Sequence, residues 1–394
     1  MIRGYVLGFS RPDKETRYGD CELITDGKKY ILIDGYCGKG ADAIIAYLKK
    51  RKIKKLILIL THAHYDHYNG LWKIIKDPYF EVEVFYCYDP LTLEAGLSNN
   101  KGSKSVREDI ENLQEVIAEA EKRDIKVVFL DHGDKIEAGD IKLEVYREQP
   151  TKVADDDTEG WSYVNDGSLC FYMRETGYWT SGDGCEYIYN FIKKLNKLGY
   201  NIVVKYFKIP HHGNNCTESQ AKGLKAQGAK VCWYNDLEPK GIGTTEFTAY
   251  GARRCREAGI PVLEAVGDIN WVAFKNSMHI YHGGKEVTSF SCDYSGNSSF
   301  KALTADVVRK VFEDKYGKGD TRVTNILDDG YYYTAVQSAV NTVVNIANDI
   351  IHRRVNYGKN ATRIKNLDKM FGAGYGQLIQ DEINSLLKAK SAKW

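Results

Sequence analysis

The sequence predicts a layered α/β domain followed by a small all-α tail. Three observations carry this. Short apolar runs alternate with amphipathic helical stretches from Cys21 to about residue 290, strand signals stop beyond that point, and roughly the last ninety residues repeat one helical pattern twice.

Taken in order, "CELIT" and "KYILIDG" read as strands, "ADAIIAYLKKRK" as a helix, and "KLILILTHAH" as a buried strand with its exit loop. A polar helix, "SVREDIENLQEVIAEAEKRDI", leads into the apolar "KVVFL", and "DKIEAGDIKLEVY" has the alternation and central turn of a hairpin. "ADDDTEGW" is a loop by composition. Strands are expected at "SLCFYM", at "GYWTSGD" and, after the helix "CEYIYNFIKKLNKLG", at "VVKYFKIPHHG". The helices "ESQAKGLKAQG" and "AYGARRCREAGI" precede the strands "KVCWYN" and "PVLEAV", and "WVAFKNSMHIYHGGKEVTSFS" carries the last strand signals. These readings divide the chain into a domain over 1–290, a Ser/Gly-rich linker over 291–302, and helical repeats over 303–344 and 345–394.

Composition sets bounds but does not choose a function. A chain of 394 residues is too long for one ordinary core. Its 43% apolar and 27% charged fractions are those of a globular protein, and a net charge of +2 gives no whole-chain argument for nucleic acid or membrane. The 28 tyrosines suit half-buried strands, and also carbohydrate-facing surfaces. Nine cysteines, odd in number and never spaced CxxC, point to a reduced cytosolic history rather than a disulfide framework. The N-terminus "MIRGYVLGFSRPDKE" has too short an apolar stretch for a signal peptide, and no run approaches the roughly 18 residues of a membrane span. Synthesis in the cytoplasm without a signal peptide is therefore expected, with action at the cell wall left to release by other means, as in a phage lytic protein.

The chemistry is concentrated in "THAHYDHYNG", where His62, His64, Asp66 and His67 supply imidazole and carboxylate donors suited to zinc, with manganese or iron as alternatives. Alternate residues His62 and His64 can face one side of a loop leaving a buried strand. The turn into the next helix carries Asp66 and His67 to a second point nearby, so the motif has the form of a site for two divalent ions. Further ligands must come from other strand ends, and Asp183 in "TSGDGCE" and His211 in "FKIPHHGNN" stand at such ends. In this reading Asp66 ligates and orients the attacking water, Asp183 bridges, and His211 ligates. His212 is either a hydrogen-bond donor or acid toward substrate, or a packed imidazole supporting the loop.

With "HAHYDH" matching an HxHxDH signature at every defining position, residues 1–290 resemble the metallo-β-lactamase superfamily. The resemblance implies a four-layer αββα sandwich, and it implies that Asp34 in "GDCELITDGKKYILIDGY" buttresses the metal loop. "NDGSLCFYM", "WTSGDGCE" and "KIPHHGNN" look like the branch that includes the nuclease-like domain of competence DNA-uptake channels and the phosphorylcholine esterase of teichoic acids. On that likeness Asn165 and Ser168 become substrate-binding residues. No histidine lies between Asp134 and Asp183, where β-lactam-hydrolysing members place a ligand, so a β-lactamase is not expected. One ion would then keep an open face or borrow Asp166 or His212. His132 reads as a surface loop residue, and His279, His282 and His352 as structural.

In the tail, "YGKGDTRVTNIL" aligns with "YGKNATRIKNLD", pairing Tyr316 with Tyr357 and Arg322 with Arg363, while Gln337 pairs with Gln380. The repeats resemble the short cell-wall-binding repeat at the C-terminus of some phage lysozymes, which implies that Arg322, Gln337, Arg363 and Gln380 lie near a peptidoglycan ligand. A helical packing or dimerisation element is the other reading. The combined expectation is a binuclear metal-dependent phosphodiesterase acting on a wall-associated polymer such as teichoic acid. An intracellular nuclease or nucleotide phosphodiesterase, touching nucleic acid, is the alternative, and a non-enzymatic wall-binding adaptor is the third.

Overall fold

The computed structural model describes residues 1–7, 19–94, 97–99, 101–148, 160–184, 187–235, 250–264, 269–296, 300–352 and 354–391. They form two compact units, Met1–Gly283 with Val287–Ser298, and Gly284–Glu286 with Ser299–Trp394. The acidic stretch 154–159, expected as a loop, lies outside the described residues.

The first unit begins with β1 (Ile2–Val6), β2 (Glu22–Thr25), β3 (Tyr30–Ile33), α1 (Gly38–Lys50), β4 (Lys55–Ile59), α2 (Tyr65–Lys76), β5 (Glu81–Cys87), α3 (Lys101–Lys122) and β6 (Lys126–Phe129). Next come the hairpin β7 (Lys135–Ala138) and β8 (Ile141–Tyr146), then α4 (Trp161–Asp166), β9 (Cys170–Met173), β10 (Tyr178–Thr180), α5 (Ile188–Lys197) and β11 (Tyr206–Lys208). The chain continues through α6 (Glu218–Gln227), β12 (Val231–Tyr234), α7 (Tyr250–Glu257), β13 (Val262–Glu264), β14 (Ile269–Phe274), β15 (Ser277–His282) and β16 (Lys285–Ser291). Among the described residues one sheet runs β16-β15-β14-β1-β2-β3-β4-β5-β6 and a second runs β13-β12-β11-β10-β9-β8-β7.

Strands β3 to β6 pair in parallel, as do β10 to β13, which is what the intervening helices require. Buried side chains of α1, α2 and α3 join the core of the first sheet, while α5, α6 and α7 pack on the second through Phe191, Ile192, Leu224 and Cys255. The inward faces of the two sheets meet around Tyr178, Tyr206, Trp233 and Trp271, each at most 2% exposed. The result is the expected order of layers, helix–sheet–sheet–helix.

Strands β1 and β5 have no counterpart among the strands read from sequence. In β1 the apolar run is interrupted by Gly4, which the packing demands, since a Cβ there would lie 1.9 Å from the Trp271 ring. In β5 the alternation of Glu81 and Glu83 with Val82 and Val84 looks like a polar segment, and only its last residues are deeply buried. All eight described cysteines are buried and none is disulfide-bonded.

The second unit comprises α8 (Ala305–Phe312), α9 (Gly319–Asp328), α10 (Tyr333–Ile351), α11 (Asn360–Phe371) and α12 (Tyr375–Ser391). The boundary between the two expected repeats, 344/345, falls inside α10. No Gly or Pro interrupts "TAVQSAVNTVVNIANDII", and Val336, Val340, Val343 and Ala347 continue one buried stripe across the junction. The last helix of one copy and the first helix of the next are therefore a single rod. Part of the expected linker 291–302 is docked on the first unit: the Cys292 and Asp293 amides donate to the Asn276 and Glu175 carbonyls, and Tyr294 is buried.

Candidate metal centre

The carboxyl ends of β3 and β4 in one sheet, and of β10 and β11 in the other, converge on a cluster of imidazoles and carboxylates. Beyond β4 the chain extends through Thr61, so alternate residues point the same way, and His62 Nε2 comes to 3.1 Å from His64 Nδ1. Behind them Asp34, at the end of β3, accepts hydrogen bonds from the Thr61 amide at 2.8 Å and the Thr61 hydroxyl at 2.7 Å, and pairs with His67 Nδ1 at 2.7 Å. This carboxylate fixes the whole loop, as the resemblance implied.

The first turn of α2 presents Asp66 and His67 to a second point. His67 Nε2 lies 3.2 Å from Asp183 Oδ1, and His212 Nε2 lies 2.9 Å from Asp66 Oδ2 and 3.3 Å from Asp183 Oδ2. Two donors bound to one tetrahedral ion at about 2.0–2.1 Å stand about 3.3 Å apart, so these spacings are those of a ligand set. Asp183 belongs to both groups, with His62 and His64 on one side and with His67 and His212 on the other. That is the position a bridging carboxylate must occupy.

The two adjacent histidines exchange their expected positions. His211, His212 and Gly213 follow one another at φ of 53°, 51° and 93°, a left-handed turn that non-glycine residues enter only at a cost. It buries His212, 4% exposed, among the donors, and leaves His211 at the rim, one-third exposed, with Nε2 at 3.9 Å from Asp183. The donor group thus contains His212, whereas His211 pairs through Nδ1 with Asn215 at 3.4 Å. Gly213 cannot be replaced by a larger residue without striking Tyr234, 2.8 Å from its would-be Cβ.

Two further residues escaped the sequence reading. Asp20 Oδ1 stands 3.3 Å from His212 Nδ1, and the fully buried Lys208 pairs with Asp20 while donating to the Gly182 carbonyl at 2.7 Å. One lysine thereby ties the His212 side of the site to the loop that carries Asp183. Asp20 lies just before β2 and Lys208 ends β11, so nothing local in the sequence joins them.

Residues 16–151 match the family model of the metallo-beta-lactamase superfamily, and residues 305–344 match that of the CW_7 repeat. The first unit has the metallo-beta-lactamase fold. Similar solved structures include the metallo-beta-lactamase fold protein YhfI from Bacillus subtilis, at 12% identity over 69% of this chain and 100% of that one, TM-score 0.43. A diphosphatase from the PhnP family matches at 13% identity over 69% and 98% of the two chains, TM-score 0.40. The metallo hydrolase Igni18 from the archaeon Ignicoccus hospitalis matches at 13% identity over 69% and 99%, also with a TM-score of 0.40. No curated protein matches the sequence.

The electrostatics of the site divide it in two. Burial pulls His62 well below the ordinary imidazole range and His64 down to about 4, which favours the neutral form of each. For His67 and His212 burial acts the same way but is outweighed, above all by Asp183, with Asp34 helping at His67 and Asp20 at His212, and both are raised well above the usual value. Asp183, despite its burial, is held well below the ordinary carboxylate range by His212, His67 and His211. Buried His67 Nε2 and Asp183 Oδ1 have no hydrogen-bond partner. Orphaned buried groups of this type, at ligand spacing, fit divalent cations: His62, His64 and Asp183 cluster for one, and Asp20, His67, Asp183 and His212 for the other, while the expected ligand Asp66 falls in neither cluster and stands beside the second, 2.9 Å from His212 Nε2.

The expected substrate residues Asn165 and Ser168 are buried beside this site. Their turn packs on the Asp183 loop, where Gly184 would place a Cβ 2.8 Å from Ser168, and the Leu169 amide donates to the Thr61 carbonyl at 2.9 Å. Both the Asn165 side-chain oxygen and the Ser168 hydroxyl lack hydrogen-bond partners. Asp166, proposed as a borrowed ligand, is exposed and falls in neither donor group. His132 sits on the surface, 3.2 Å from the Tyr200 hydroxyl.

In the helical unit the two copies repeat the same local bonds. Arg322 Nε donates to the Gly317 carbonyl at 2.9 Å and Arg363 Nε to Gly358 at 3.0 Å, while Asn325 and Asn366 donate to the carbonyls of Tyr316 and Tyr357. Gln337 and Gln380 donate to Asn341 and Asn384 at 3.0 and 3.1 Å. Arg363 also donates to Gln380 at 3.1 Å, placing the second pair side by side. No helix among the described residues is long and apolar enough to cross a membrane.

Proposed function

We propose that the chain is a binuclear, zinc-dependent phosphodiesterase acting on a cell-wall-associated polymer of the teichoic-acid kind, kept near its substrate by the C-terminal repeats. The observation that carries this reading is the pair of donor groups sharing Asp183. Two divalent ions in such a site would lower the pKa of water and polarise a phosphoryl oxygen, the chemistry that phosphodiester cleavage asks for. Asp66, 14% exposed and 3.7 Å from His67 Nε2, would orient the attacking water. Asn165 and Ser168 offer unspent polar atoms to substrate, and His211, one-third exposed, would meet a leaving group more readily than the buried His212. The CW_7 match supports wall binding, and the repeated Arg and Gln positions supply paired donors for a muropeptide. Tethering of this kind raises local substrate concentration without altering the catalytic site.

The test incubates full-length protein, loaded with zinc, with purified walls that contain or lack teichoic acid, and measures soluble phosphate-containing fragments beside Asp183→Asn. Release from the first wall type only, lost in the variant, is expected. Cleavage of nucleic acid or nucleotides without release from walls would replace this reading with an intracellular phosphodiesterase.

A further inference from the structure

Each imidazole of the donor groups must present one nitrogen inward, and the group behind the other nitrogen decides which. His67 is backed by Asp34, His212 by Asp20, and His62 Nδ1 by the Thr61 hydroxyl at 3.1 Å. His64 is the exception. Its Nδ1 faces His62, while its buried Nε2 has no hydrogen bond. The nearest carboxylate is Asp109, on the middle of α3 and outside every sequence motif, with Oδ2 at 3.8 Å from that nitrogen. Asp109 is itself only 18% exposed, and among the described residues its carboxylate has no hydrogen bond. A buried ring nitrogen without a hydrogen bond thus faces a largely buried carboxylate 3.8 Å away, each costly if left unpaired.

We propose that Asp109 is a positioning residue for His64: it accepts the Nε2 proton and thereby commits Nδ1 to the ion shared with His62. The proposal rests on the two-ion reading of the site. Asp109 approaches the edge of the ring opposite the inward nitrogen, so it orients a ligand and does not itself belong to the donor group. A side-chain rotation that shortens the gap by less than 1 Å, on the order of a χ1 adjustment within one rotamer well, brings the pair into hydrogen-bond range. The need is greatest on this side of the site because no histidine between Asp134 and Asp183 supplies a further ligand. With His62, His64 and Asp183 as the donor group, each donor carries a larger share of the affinity.

The experiment titrates full-length wild type, Asp109→Ala and Asp109→Asn with Zn²⁺ against a chromophoric chelator, and records the Co²⁺ ligand-field spectrum of each. Asp109→Ala is expected to weaken one of two equivalents by about 10–100-fold, with a shifted Co²⁺ spectrum for that equivalent alone. Asp109→Asn, whose amide oxygen accepts the same proton, recovers most of the loss. Unchanged affinity in Asp109→Ala, or a loss shared equally by both equivalents, overturns the assignment. A wild-type protein that binds fewer than two equivalents removes the two-ion reading itself, and the assignment with it, before any variant is compared.

Discussion

The two units handle polar side chains in opposite ways. In the first, His67 is fully buried and Asp183 and His212 are 3% and 4% exposed, and their partners come from positions as far apart as Asp20, Asp34 and Lys208. In the second, Arg322 is 23% exposed and is held by a carbonyl five residues away, and Arg363 repeats the arrangement. A site meant to hold cations out of water requires donors whose every other bond is already satisfied. A surface meant to meet a ligand needs only local scaffolding that leaves the functional group open. Damage to the first should therefore spread through the network, and damage to the second should stay where it is made.

The largest effect expected is from removing a donor. His67→Ala deletes a residue that contacts both Asp183 and Asp66 and is backed by Asp34. Metal uptake should fall by more than the roughly 10–100-fold typical of an outer partner, and hydrolysis should disappear with it. Metal content by mass spectrometry after dialysis, beside wild type, checks this. Two retained equivalents would break the contrast between the units at its strongest point.

Next comes Asp20→Ala, which leaves Lys208 as an uncompensated charge in the core. Breaking a buried pair from one side costs about 3–5 kcal/mol, so chemical denaturation should show a loss of that order. Asp20→Ala with Lys208→Met should restore most of the stability but not the metal affinity, because His212 still lacks its orienting carboxylate. If the double variant regained both, Asp20 would be a charge partner and nothing more.

These residues also mark where sequence reading reaches and where it stops. The HxHxDH spacing, Asp34 and Asp183 were legible because each stands at the end of a recognisable strand, and the hairpin and the helical repeat because their patterns are local. Asp20, Lys208 and Asp109 were not, since their meaning depends on contacts made between distant segments. The order of His211 and His212 could not be read either. Two adjacent histidines are equivalent in sequence, and a left-handed turn decides which one is buried. The fusion of the repeats through α10 was hidden for the opposite reason: self-comparison shows where copies align, not whether a helix pauses between them.

A smaller and more confined effect is expected from Arg322→Ala with Arg363→Ala. Co-sedimentation of the full-length double variant with peptidoglycan should be lost, while zinc content and hydrolysis of a small soluble phosphodiester stay within about twofold of wild type. These half-buried side chains make local hydrogen bonds worth about 0.5–1.5 kcal/mol each, so the melting curve should move only a little. A parallel loss of metal would mean that the units are not independent.

The smallest effect concerns Glu22, a buried acid with no counterpart among the described residues of the helical unit. It lies between the sheets, 4% exposed, accepting from the Tyr178 hydroxyl and from Trp233 Nε1 at 2.9 Å. Burial raises its pKa above the ordinary value, although both hydrogen bonds and Lys208 work the other way. The folded state therefore keeps the proton over a pH window in which the unfolded chain has released it. Stability falls as pH rises from the ordinary glutamate value through the raised one, and is level beyond it. Glu22→Gln cannot ionise and should flatten that slope, so its stability relative to wild type should rise across the window. Denaturant midpoints from pH 4 to 8 test this, and parallel curves for the two proteins would mean that Glu22 keeps its unfolded-state pKa. In that case the hydrogen bonds from Tyr178 and Trp233, with Lys208, would offset the burial of Glu22 in full.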